Sequence, residues 1–179
     1  MIKQIESIWE SKSVTAIPVD TFIYNFWISI SFTLFGIMTL SLNIVYSSIQ
    51  GTILTFPILY SIWKFKGLTR KQIIFFLSLI PMPFVMYLLP ENFRNLLTFV
   101  FLMGTGFFLT RFPLGIIRAG SVGVLERSYL ISMLVVFGFW FVYSTVNHFV
   151  VFQLFNGYGF ILMLWTLWIH RKYLTRLSP

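Results

Sequence analysis

Between Asp20 and Lys64 no side chain carries a charge, and this gap restricts the fold more than any other feature of the chain. A soluble amphipathic helix needs a polar outer stripe, which such a run cannot supply. It has room instead for two helices of about 20 residues each, the length that crosses about 30 Å of hydrocarbon. Four further stretches repeat the pattern, so the expected spans are residues 21–39, 43–63, 73–89, 96–117, 129–146 and 149–169. With 58% hydrophobic and only 10% charged residues among 179, and a mean hydropathy of +0.85, the chain reads as an all-α integral membrane protein of six transmembrane helices.

The ends and the loops orient that bundle. Residues 1–20 carry Glu6, Glu10 and Asp20 and have no apolar core of the kind a cleaved signal requires. Ile2, Ile5, Ile8 and Trp9 recur at helical spacing, so this piece is expected to lie along the membrane surface or cover the end of the bundle. With both termini cytoplasmic, that side holds Lys3, Lys12, Lys64, Lys66, Arg70, Lys71, Arg118, Arg127, Arg171, Lys172 and Arg176, eleven of the thirteen basic residues. Arg94 falls in the opposite loop and Arg111 inside a span. This is the positive-inside distribution, in a cell membrane, and it accounts for the net charge of +8 without a nucleic-acid partner, since no soluble face exists to carry a basic surface.

Prolines and glycines punctuate the spans. Lys64-Phe65-Lys66-Gly67 closes the second one with cations and a glycine, and Pro57 is expected to kink it. Pro81 and Pro83 bend or break the third midway. The fourth contains Gly104 and Gly106, which permit close backbone approach, with Arg111 able to snorkel and Pro113 kinking its end.

A shift of 108 residues lays the second half of the chain on the first. It places Ser13-Val14 on Ser121-Val122, Phe32 on Trp140, Phe35 on Tyr143, Ser48 on Asn156 and Lys64 on Lys172, polar positions included. Two parallel repeats are therefore expected, residues 1–66 and 93–179, joined by a linker helix within 67–92. Parallel repeats are a recurrent carrier architecture, with the substrate near the bilayer midplane.

Pro113-Leu114, Ser121-Val122, Trp140-Phe-Val-Tyr143 and Asn156, with Gln4, Lys12-Ser13-Val14 and Gly36 in the first half, resemble the PQ-loop and SWEET transporter families. The resemblance covers nearly the whole chain through short motifs. It implies a three-helix repeat unit, hinges at Pro113 and Gln4, and a sugar pocket lined by Trp140 and Asn156 with Phe32 and Ser48 opposite. Because the family has half-size members, it also implies that bundles can pair as homo-oligomers. Three departures stand out: Lys3 replaces a proline, Phe32 and Ser48 replace Trp and Asn, and the first helix of the first repeat is present only as a tail, residues 2–10. Removing one span from a seven-helix member gives the inward amino terminus that the charges require, as a natural six-span variant or a start placed too far downstream.

The site chemistry is consistent with a neutral solute. An indole face stacks on the C–H face of a sugar, and an amide both donates to and accepts from hydroxyls. Asn156 unpaired in hydrocarbon would cost roughly 2–7 kcal/mol, so it must face protein or a wet cavity. All five acidic residues, Glu6, Glu10, Asp20, Glu91 and Glu126, fall at helix ends or in loops, so no buried carboxylate is available as a proton relay. Passive, facilitated movement of a small neutral solute is the expected activity. Zero cysteines exclude thiolate chemistry, and His148 and His170 stand ~33 Å apart along one helix, too far to share a metal. No nucleophile set or phosphate loop appears, so neither an enzyme nor a cofactor is expected. Trp165 and Trp168 read as an interfacial belt. A nicotinamide riboside or vitamin-type carrier and a non-transporting membrane scaffold or partner subunit are the competing functions.

Overall fold

The computed structural model describes residues 2–148 and 150–175. Phe149, the expected start of the last span, Arg176, one of the orienting cations, and Met1 lie outside the described residues. The helices are α1 (Ile2–Ser11), α2 (Val19–Met38), α3 (Leu42–Phe65), α4 (Arg70–Ser78), α5 (Pro81–Leu88), α6 (Glu91–Leu109), α7 (Arg111–Ala119), α8 (Arg127–Val146) and α9 (Val150–Thr175). Among the described residues there is no strand.

Six helical stretches are long and apolar enough to cross a membrane: Val19–Met38, Leu42–Phe65, Arg70–Leu88, Asn92–Ala119, Arg127–Val146 and Phe152–Leu174. Large apolar side chains cover their outer surfaces, with Ile53, Phe84 and Phe139 each exposed by more than half at 62%, 63% and 63%. Water would oppose that arrangement at roughly 25 cal/mol per Å² of apolar surface, whereas lipid accepts it. This is a multi-pass membrane protein.

The helix breaks follow the prolines. Leu79 and Ile80 donate to Phe76 and Leu77 at 3.3 and 3.2 Å, one residue short of α-helical spacing, and Pro81 opens α5. The expected third span is thus two helices in series. The fourth divides as well: Thr110 donates to Phe107 at 3.3 Å, and α7 begins at Arg111, two residues before Pro113. Proline lacks the donor that would reach Leu109 and its ring crowds that carbonyl, which places the break. Pro57 stays inside α3, where Ser61 Oγ donates to the Pro57 carbonyl at 2.6 Å.

The chain forms two compact units, Met1–Pro18 with Gly106–Pro179, and Val19–Thr105. These limits follow packing, whereas the expected repeats follow sequence register. In the first unit α9 packs on α7 and α8, and α1 packs on α8. In the second, α2 packs on α3, α4 and α5. Phe26 stacks on Phe76 at 6.2 Å and meets Phe56 at 6.3 Å, which pins α3 and α4 to α2.

Local geometry recurs at the same displacement of 108. The bounds of α8 are those of α2 moved by 108 residues, and α9 begins 108 residues after α3. Leu40 and His148 both turn with positive φ, 53° and 56°, and both donate to the third residue back at 3.3 Å. Ile17 and Leu125 close their Ser-Val turns on Val14 and Val122 at 3.1 Å each.

Gly67 and Gly120 terminate α3 and α7 with φ of +73° and +65°, and a Cβ at either would meet nothing within 4 Å. Alanine there is expected to cost only the left-handed conformational penalty, about 1 kcal/mol, in a detergent unfolding titration.

Candidate functional site

Trp140 and Asn156 lie in the first unit on α8 and α9, which pack together; Phe32 and Ser48 lie in the second, on the packed pair α2 and α3. Trp140 is half-buried and meets the rings of Tyr143 and Phe139 edge-on at 5.3 and 5.9 Å. Asn156 is 6% exposed and Ser48 8%. Each donates to the carbonyl one turn back in its own helix, Asn156 Nδ2 to Phe152 at 2.7 Å and Ser48 Oγ to Ile44 at 2.6 Å. An isolated polar group in an apolar helix takes this local partner because none costs less to reach. The Asn156 bond uses one of the amide's two N–H donors.

Three residues beyond each polar group comes a glycine against the neighbouring helix. A Cβ on Gly159 would lie 2.6 Å from the Phe137 ring, and one on Gly51 would lie 2.8 Å from Ser29 Oγ. Both helix pairs therefore make their closest approach beside the buried polar side chain. Phe32 is half-buried.

Of the two expected hinges, Pro113 is buried in α7, and Gln4 is a tie. Gln4 is 0% exposed; its Nε2 donates to the Val124 carbonyl at 2.7 Å, and its Oε1 accepts from the Glu126 N–H at 2.8 Å. One amide thus satisfies a backbone acceptor and a backbone donor in the turn that leads into α8. Val124 N–H donates in addition to the Thr15 carbonyl at 3.3 Å. Gly123, with φ +53°, lies directly under Thr15, and Gly115 places its missing Cβ 3.2 Å from the Ala16 carbonyl. The residues 13–17 and 121–125, equivalent by the 108 shift, are therefore packed against each other within this unit. Of the two placements expected for the amino-terminal piece, covering the bundle is the one found, with Ile8 0% exposed.

Other polar groups escaped sequence reasoning. His170 is 3% exposed, and its Nε2 lies 2.8 Å from the Leu125 carbonyl. A carbonyl only accepts, so Nε2 carries the proton, while Nδ1 is buried with no partner among the described residues. The 108 shift pairs His170 with Ile62, itself 0% exposed, so an apolar side chain fills the corresponding place in the other unit. The Trp27 indole N–H is likewise buried without a partner. Burial of a residue at a helix end has no signature in periodicity, and these features required the packing. Arg111, expected to snorkel, rests its guanidinium over the rings of Phe107 and Phe108 at 5.7 and 5.3 Å. Trp165 and Trp168 are 42% and 60% exposed, with Lys172 Nζ 5.4 Å from the Trp168 ring.

No family model matches the chain, and neither a curated protein nor a solved structure matches it. The functional reading therefore rests on this chain's own residues.

Proposed function

We propose that the protein is a facilitative carrier that moves a small neutral solute, a sugar first among the candidates, across a cell membrane by alternating access of two like-built helical repeats. The observation that carries this reading is the matched pair Asn156 and Ser48. Both are buried at corresponding places of helix pairs with matching limits, and both stand beside a glycine-mediated close approach. The motif resemblance to PQ-loop and SWEET transporters supports it from the sequence side. Asn156 retains a second N–H and its carbonyl for a hydroxylated solute, with the half-buried Trp140 ring as the apolar complement. The acidic residues lie outside the span interiors, which favours uncoupled movement over proton relay. The positive-inside distribution places both termini in the cytoplasm.

Proteoliposomes holding the purified protein are expected to equilibrate a labelled mono- or disaccharide. Asn156→Ala should abolish that flux while the protein remains monodisperse with unchanged helical content. Uptake of nicotinamide riboside in place of sugars would move the reading to a vitamin-type carrier.

A membrane scaffold is the second reading, favoured by the own-helix bonds of Asn156 and Ser48, which give both groups a structural partner. Absence of flux for sugars, nucleosides and amino acids alike would establish it over the carrier.

A further inference from the structure

We propose that Lys66, Arg70 and Lys71, at the α3–α4 junction, form a binding site for the phosphate of an anionic phospholipid. The observation is local and concerns the second unit alone. Its carboxylates are Asp20 and Glu91, and the segment from Lys64 to Lys71 contains four cations and no acid. Lys66, Arg70 and Lys71 are exposed, and none of the three makes an ion pair among the described residues. The other basic segments differ: Lys3 and Lys12 alternate with Glu6 and Glu10, and Arg118 and Arg127 flank Glu126.

The backbone that presents these cations is held from both sides. Lys66 N–H donates to the Ile62 carbonyl at 3.0 Å and Gly67 N–H to the Trp63 carbonyl at 3.1 Å, closing α3. Thr69 and Gln72 exchange side-chain and backbone bonds at 3.0 and 3.3 Å, opening α4. Three uncompensated charges on an ordered connector of this length repel one another, and a phosphate group would relieve that repulsion.

The neighbouring surface selects a lipid over a soluble anion. Trp63, at the end of α3, is 62% exposed, and Ile74, on the first turns of α4, is 59% exposed. An amphiphile places its phosphate among the cations and its chains along these apolar groups, whereas a free polyanion gains nothing from them. Each cation near an anionic lipid surface raises association about fivefold.

The test is lipid selectivity at the protein surface, measured by electron paramagnetic resonance with spin-labelled phosphatidic acid and phosphatidylcholine in reconstituted membranes. The wild type is expected to prefer the anionic label. The triple variant Lys66→Gln, Arg70→Gln, Lys71→Gln should fall to the selectivity of the zwitterionic label, while Lys66→Arg with Lys71→Arg retains the preference. The double variant Lys3→Gln, Lys12→Gln should also retain it. A wild type without preference, or a preference that survives the triple substitution, overturns the proposal. Displacement of the label by inorganic phosphate at equal potency overturns the lipid assignment. Loss of solute flux would leave this result untouched, because the readout does not involve transport.

Discussion

Gln4→Met is expected to lower the stability of the protein by about 3 kcal/mol, although it keeps the volume of the side chain. The substitution deprives the Val124 carbonyl and the Glu126 N–H of their partner in a place where Gln4 is 0% exposed. Each buried backbone group left unpaired costs about 1–3 kcal/mol. Gln4→Ala should cost more, since it also empties the space, by about another kcal/mol for the lost methylenes. Unfolding titrations with dodecyl sulfate in mixed micelles measure both. If the methionine variant unfolds within about 0.5 kcal/mol of the wild type, the two bonds contribute nothing net and the amide is incidental.

The second large effect belongs to Gly123→Ala. A Cβ there would strike the Thr15 carbonyl group, with its carbon at 2.7 Å, and the residue has φ +53°. The left-handed conformation alone costs about 1 kcal/mol for alanine. The overlap is with backbone, which cannot swing aside as a side chain can, so the 13–17 turn must move and the Val124–Thr15 bond at 3.3 Å is strained with it. A total loss of about 3 kcal/mol or more is expected, set against about 1 kcal/mol at Gly67 and Gly120, where the φ has the same sign and the space is open. Equal losses at all three positions would show that conformation, and not contact with Thr15, decides the cost.

Both variants test the same junction, where one short amino-terminal helix is fastened to a turn more than a hundred residues away. Its sequence neighbours give no hint of this. Ile2, Ile5, Ile8 and Trp9 mark an apolar face, and Ile8 is buried while Trp9 remains 40% exposed. Periodicity tells which face is apolar, not which partner covers it.

Much of the framework was nevertheless legible. The helix ends at Lys66-Gly67 and at Gly120 follow from cations and glycine, and the breaks before Pro81 and Pro113 from the missing proline donor. The expected spans and the apolar helices agree within a few residues, except that 73–89 and 96–117 are each divided at a proline-induced break. The candidate site was legible only in part. Asn156 and Ser48 stood out because a polar group in an apolar run is conspicuous, and both are buried. Their bonding to their own helices was not readable, nor was the burial of His170 or of the Trp27 indole nitrogen.

The amino-acid sequence by itself determined the solvent this chain requires, the number of helices that cross it and where each must stop, because these depend on hydropathy and on backbone chemistry within a few residues. It could not decide which side of a span faces protein: Phe137 is buried and Phe139 is 63% exposed, two residues apart on one helix and equally apolar. In lipid both environments suit a phenyl ring, so no alternation of polar and apolar residues marks the inner face. Tertiary structure decided that face through close packing at Gly51 and Gly159, and it alone turned Gln4 from a polar residue near a terminus into the tie that joins α1 to the turn before α8.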